Sequence, residues 1–256
     1  METTLDGLTV HYEEQGSGPL VVLLHGWGSN LTLFASIAAV MAKTYHVVSV
    51  DFPGCGGTSE PSEPWGMDEY TRFTATFIAS FGEEDVIVLG HSHGGRVAIR
   101  LATDEDTGIH VSRLILVDSA GIIPTRTLGY HVRVKSYKAG KALLNWAPIR
   151  KAFPQALPAL QTRLGSTDYS AASPVMRASM VKVVNADLQP LLPAISVETL
   201  LIWGADDDFT PLADGQLMEK LIPGAGLVTL ENAGHYSFLD QPYAFARVLE
   251  SFLGIK

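Results

Sequence analysis

The sequence predicts an α/β chain: a mostly parallel, doubly wound sheet with an inserted helical segment. Three observations carry that prediction. Short β-branched and leucine-rich runs alternate with helical patterns through the first half of the chain. The alternation stops between residues 122 and 194 and then resumes. The formal charge changes sign over the same stretch. Strands separated by helices need crossover connections, and crossovers place helices on both faces of a parallel sheet. With 256 residues, 46% of them hydrophobic, the chain can bury a large core without disulfide or metal.

Each element has its own signal. Leu8-Thr9-Val10-His11-Tyr12 alternates and precedes Gly16-Ser17-Gly18-Pro19, which reads as an antiparallel hairpin at the sheet edge. Leu20–Leu24 is a short apolar run ending in His25-Gly26, as a buried parallel strand ends. Leu33–Ala42 is apolar and alanine-rich and suits a helix. His46–Val50 is a β-branched strand closed by Asp51-Phe52-Pro53-Gly54. Met67–Phe81 has helical character, with Asp68 and Glu69 placed to favour the positive end of its dipole. Val86–Leu89 reads as a strand, Gly94–Ala102 as a helix and Leu114–Val117 as a strand. After the interruption, Thr199–Trp203 and Leu227–Leu230 are strands and Pro242–Phe252 is a closing helix.

Residues 122–194 carry ten Lys or Arg against two acids, Asp168 and Asp187, a formal +8, while the rest of the chain carries −17. Helix formers there mix with Pro148, Pro154, Pro158, Pro174, Pro190 and Pro193. The expected organisation is a core domain of residues 1–121 and 195–256 with a helical cap, or lid, of residues 122–194. Tyr130–Leu144, with Arg133, Lys135, Lys138 and Lys141, is read as a solvated cap face rather than a membrane-surface helix.

Composition also excludes. A net charge of −9 argues against nucleic acid as a partner. No apolar run reaches the about 18 residues of a membrane span. The acidic start, Met1 to Asp6, lacks the apolar stretch of a secretory signal, so a cytoplasmic location is expected. Cys55 is the single cysteine, so a disulfide within the chain and a cysteine zinc site are ruled out. Gly54-Cys55-Gly56-Gly57 lacks the Lys-Ser/Thr of a phosphate-binding loop, and Cys55 is read as inert.

The chemistry lies in Gly90-His91-Ser92-His93-Gly94, a G-x-S-x-G spacing between the strand Val86–Leu89 and the following helix. That is where a nucleophile elbow belongs: the turn is strained, and side chains flanking the serine would clash. A serine nucleophile needs a base and an acid that orients the base. Downstream, Asp206-Asp207-Asp208 follows one strand and Asn232-Ala233-Gly234-His235 follows the next, both beyond strand carboxyl ends. The order Ser, acid, His is the one this elbow motif uses. The flanking histidines His91 and His93 are not read as a metal pair, because they point away from each other across the serine.

With Leu24-His25-Gly26-Trp27-Gly28, Asp51-Phe52-Pro53-Gly54-Cys55-Gly56-Gly57-Thr58-Ser59, the elbow, the loop Trp203–Pro211 and Ala233-Gly234-His235, the sequence resembles the α/β-hydrolase superfamily with a helical cap, in its esterase and enol-lactonase branch. The resemblance covers essentially the whole chain. It implies Ser92 as nucleophile, His235 as base and Asp207 as the acid. The family pattern W-G-x-x-D-x-x-x-P puts the acid three residues after Gly204, and Asp118 is its rival because some members carry the acid there. It implies an oxyanion hole from the backbone N–H groups of Trp27 and His93, with the His25 ring bracing its loop. It implies no cofactor.

The expected function is hydrolysis of an ester-like or lactone bond of a small molecule, by a monomer or homodimer. The basic cap suggests a substrate with an anionic group. Dehalogenases and epoxide hydrolases of this fold carry Asp at the elbow, where this chain has Ser92. Carbon–carbon bond hydrolases often carry Asn before the serine and Trp after the histidine, where this chain has His91 and Tyr236. Cofactor-free perhydrolases share the same three residues. A small-molecule receptor with slow, vestigial hydrolysis is the alternative of another class, and turnover separates it from an enzyme.

Overall fold

The computed structural model describes residues 1–83, 85–123 and 172–255. Among them is one eight-stranded sheet in the order β1-β2-β4-β3-β5-β6-β7-β8. Its strands are β1 (Glu2–Leu5), β2 (Leu8–Gln15), β3 (Leu20–Leu24), β4 (His46–Val50), β5 (Asp85–His91), β6 (His110–Val117), β7 (Glu198–Gly204) and β8 (Gly226–Leu230). From β4 across to β8 the pairing is parallel, and β1 and β2 form an antiparallel edge.

The edge corrects one expectation. β2 makes its hairpin with β1, through Asp6 (φ +50°) and Gly7 (φ +81°), the two positive-φ residues of a type I′ turn. Its other neighbour is β4, so Gly16–Pro19 is a crossing into the sheet interior rather than a hairpin turn. The exposure of β1 alternates, as on an edge strand with one wet face, and its two threonines hid that pattern from a search for apolar residues.

Alternate residues of each buried strand feed two cores. Leu20, Val22 and Leu24 of β3 face one; Val21 and Leu23 face the other. On the first face lie α2 (Met67–Ala79), α3 (His93–Thr103), α4 (Pro174–Val184) and α5 (Leu212–Leu221), through Phe73, Phe77, Val97, Ile99, Met176 and Met218. On the second lie α1 (Ala35–Met41), α6 (Ser237–Asp240) and α7 (Pro242–Leu253), through Ile37, Met41, Phe238, Phe245 and Leu249. The helix expected over Leu33–Ala42 begins as a 3₁₀ turn at Leu31–Phe34, where the Asn30 side chain accepts from the Thr32 N–H. Helices α5 and α6 had no separate sequence signal.

Of the 122–194 segment, residues 124–171, including Pro148, Pro154, Pro158 and the basic stretch Tyr130–Leu144, lie outside the described residues. The described part packs on the sheet domain. Ser173 caps α4 by accepting from the Met176 N–H at 3.1 Å, and Pro174 occupies its first turn. Ser179 Oγ accepts the Trp65 N–H at 2.9 Å, and Arg96 of α3 donates to the Ala186 carbonyl at 2.9 Å.

Candidate active site

Strand β5 ends at His91 and α3 begins at His93, so the whole strand-to-helix turn falls on Ser92. Its backbone sits at φ +52°, ψ −111°, a conformation that non-glycine residues rarely hold. The neighbours that permit it are small for a steric reason. A Cβ at Gly90 would overlap the Gly94 carbonyl, and one at Gly94 would overlap the Leu24 carbonyl. Close approach of elbow, helix and β3 therefore requires glycine at both positions. The result is a serine hydroxyl lifted beyond the carboxyl edge of the sheet.

Two loops bring groups to that hydroxyl. His235 Nε2 lies 3.0 Å from Ser92 Oγ, and His235 Nδ1 lies 2.9 Å from Asp207 Oδ2. Asp207 is held as the hub of its own turn: Oδ1 accepts the N–H groups of Phe209 (2.7 Å) and Thr210 (2.9 Å). That leaves Oδ2 for the imidazole and for the Thr210 hydroxyl, at 2.7 Å. Trp203 Nε1 ties the Thr210 carbonyl back to β7 at 2.7 Å. Burial pushes the Asp207 carboxyl up, but hydrogen bonds from His235 and Thr210 outweigh it and leave the pKa lowered. Its neighbours Asp206 and Asp208 are exposed.

Asp118, the rival acid, faces other partners. It is fully buried at the end of β6, with φ +43°. Its Oδ1 accepts the Gly204 N–H at 2.8 Å, and its Oδ2 accepts Ser237 Oγ at 2.6 Å and Ser237 N–H at 3.1 Å. It thus pins the root of the Asp207 loop to the residue two beyond His235. Desolvation raises its pKa to about 7 against those hydrogen bonds.

The elbow histidines diverge. His91 Nε2 donates to the His235 carbonyl at 2.7 Å, and its ring packs on His235, Tyr236 and Phe238. The His93 ring packs instead on Trp27, Phe52 and Tyr70. Burial holds both rings down to about 3, so both are neutral at physiological pH. His25 braces its loop: Nδ1 donates to the Gly26 carbonyl at 2.7 Å, and Nε2 accepts the Phe52 N–H at 2.9 Å. Among the described residues, neither the Trp27 N–H nor the His93 N–H is spent on another hydrogen bond. Burial pushes the Cys55 thiol up to about 11, consistent with an inert cysteine.

Ser92, Asp207 and His235 therefore meet in space as their order and loop positions suggest. Three contributors escaped sequence reasoning. Thr210 had a local signal, a hydroxyl residue three positions after an aspartate. The Asp118–Ser237 clamp and the His91–His235 strut join residues 119 and 144 positions apart and had none.

Comparison with known proteins agrees with this architecture. The Alpha/beta hydrolase family matches residues 21–248. A pimeloyl-[acyl-carrier protein] methyl ester esterase of Aeromonas hydrophila is 29% identical over 282 aligned positions, covering 96% of this chain and all of that protein. The crystal structure of an enol-lactonase from Burkholderia xenovorans superposes with a TM-score of 0.75 at 24% identity, over 99% of this chain and 100% of that one. An esterase from Exiguobacterium antarcticum gives 0.75 at 26% identity, over 98% and 97%. The family match spans the elbow and both downstream loops, and the chain belongs to the Alpha/beta hydrolase family and is a hydrolase.

Proposed function

We propose that this hydrolase cleaves an ester-like or lactone bond of a small molecule, with Ser92 as nucleophile, His235 as general base and acid, and Asp207 as the group that orients His235. The observation that carries the reading is the continuous path from Ser92 Oγ through His235, 3.0 Å and then 2.9 Å, to Asp207. Attack forms a bond from Oγ to the carbonyl carbon while the hydroxyl proton passes to His235 Nε2. The Asp207 carboxylate stabilises the resulting imidazolium and keeps the proton of Nδ1 facing it. The N–H groups of Trp27 and His93 take the oxyanion; a fixed donor of this kind is worth about 3–4 kcal/mol in the transition state. Collapse expels the alkoxide, which leaves with the proton from His235. Water then repeats the sequence on the acyl-enzyme and frees Ser92.

Ester chemistry is favoured by the two esterase relatives, at 29% and 26% identity. A lactone is a cyclic ester and needs no other machinery. Residues 122–194 are assigned as the cap that selects the substrate. The test is a panel of p-nitrophenyl esters, lactones and ring-cleavage products, run beside labelling with a fluorophosphonate probe. Turnover of esters or lactones with labelling lost in Ser92→Ala supports the reading. Carbon–carbon cleavage without ester turnover, or tight binding with negligible turnover, would replace it.

A further inference from the structure

Three buried histidines, His25, His91 and His93, lie on the elbow and the loop after β3, and two of them hydrogen-bond the main chain. His25 bonds Gly26 and Phe52, and His91 bonds the His235 carbonyl. The third does not. His93 is 4% exposed, and neither Nδ1 nor Nε2 has a hydrogen-bond partner among the described residues. Its ring sits in an aromatic box, 4.9 Å from the Tyr70 centroid, 5.2 Å from Phe52 and 5.3 Å from Trp27. The one hydroxyl of that box, on Tyr70, is 3.4 Å from the Pro53 carbonyl.

A buried donor without a partner is costly, and an apolar ring or leucine would fill the same box without that cost. The chemistry proposed for Ser92 does not use the His93 side chain; it uses only the backbone N–H. Yet the box borders the reacting centre. Trp27 and His93, whose rings touch, are the two residues whose N–H groups would hold the oxyanion. Burial and the nearby Arg96 keep the ring neutral, so it carries one N–H and one lone pair.

We propose that the His93 imidazole is a specificity-determining group that hydrogen-bonds an uncharged oxygen substituent, hydroxyl or keto, on the acyl part of the substrate. The inference rests on the ester-hydrolase reading above. A neutral N–H meets such an oxygen without stripping a full charge of its water. A carboxylate among three aromatic rings would lose its hydration, and one neutral donor would not replace it. Arg96, the cation that acts on His93, already donates to the Ala186 carbonyl.

The test compares kcat/KM for p-nitrophenyl butanoate, its 2-hydroxy and 3-hydroxy derivatives, and the p-nitrophenyl half-ester of succinate. Wild type, His93→Phe, His93→Leu and His93→Gln are measured, each with fluorophosphonate labelling and a melting curve. A ratio between two substrates in one preparation does not depend on the folded fraction. Wild type is expected to favour one hydroxy ester over butanoate by about 10-fold, the size of one hydrogen bond, whereas the succinate-to-butanoate ratio should be the same in wild type and His93→Phe. His93→Phe and His93→Leu should bring that ratio within about twofold and melt no lower than wild type; His93→Gln, which keeps a donor, should retain part of it. An unchanged ratio in the apolar variants, no preference in wild type, or apolar variants that fail to fold would overturn the proposal. Absence of labelling at Ser92 together with no ester turnover would instead remove the ester-hydrolase reading, and this one with it.

Discussion

The imidazole of His91 donates to the main-chain carbonyl of His235 at 2.7 Å, so the residue before the candidate nucleophile holds the backbone of the candidate base. The two rings also lie 4.9 Å apart. Elbow and histidine loop are therefore joined directly, although β5 and β8 are not neighbours in the sheet.

The strut has a kinetic consequence. His91→Phe should lower kcat by about 10–100-fold with little change in KM, because misplacing a catalytic group by an ångström costs on that order. His91→Gln, which keeps a donor, should recover part of the loss. Steady-state kinetics on a p-nitrophenyl ester, with circular dichroism to verify folding, decides it. A variant that changes only KM would mean the contact does not position His235.

Removing the nucleophile should be far more severe. Ser92→Ala should abolish fluorophosphonate labelling and lower turnover by several orders of magnitude, about 10⁶ in the best-studied protease. Activity above about one per cent of wild type would exclude Ser92 from the nucleophile's role.

Among the acids, Asp207→Asn should be the most damaging, by roughly 10⁴ in kcat on the precedent of other triads, since an amide cannot hold the required tautomer. Asp206→Asn and Asp208→Asn, at exposed positions, should stay near wild type. Equal losses across the three, or a larger loss in Asp118→Asn, would reassign the acid.

Asp118 should show itself in stability instead. Its pKa is raised from 3.8 to about 7, so the folded protein holds a proton there that the unfolded chain has already released. Between those pH values the folded state binds more protons, and this group's contribution to stability falls as pH rises. Asp118→Asn removes that dependence. Melting curves from about pH 4.5 to 8 should show the Tm of wild type, relative to Asp118→Asn, declining with pH. Parallel curves would mean that Asp118 is ionised throughout.

The +8 charge of residues 122–194 motivates a different substrate test. A basic cap near the candidate triad would draw in substrates with an anionic group remote from the scissile bond, chiefly by raising the on-rate. Two esters that differ only in a terminal carboxylate or its methyl ester, compared at low and high salt, measure this. The carboxylate should be preferred at low salt and lose its advantage as salt rises, and the preference should survive His93→Phe. Equal or better kcat/KM on the neutral ester at low salt would leave the cap charge as surface chemistry.

The sequence by itself determined the sheet domain and the order of the candidate triad along the chain. Buried parallel strands such as Leu20–Leu24 are continuous apolar runs, and an elbow needs glycine at Gly90 and Gly94 for local steric reasons, so both are written in consecutive residues. It also singled out Asp207 by spacing from Gly204, and the buried carboxylate facing His235 is that one. What only the tertiary structure decided are pairings across distance. β2 pairs with β4 rather than β3, and the crossing from β2 to β3 runs so close to residues 42–45 that a Cβ at Gly16 or Gly18 would overlap the main chain there. Asp118 found Ser237, and His91 found the His235 carbonyl, across 119 and 144 residues. His93 reached an aromatic box where, among the described residues, neither ring nitrogen has a partner. Such contacts depend on where loops from separate strands converge beyond the sheet edge, and no local periodicity or propensity records that convergence.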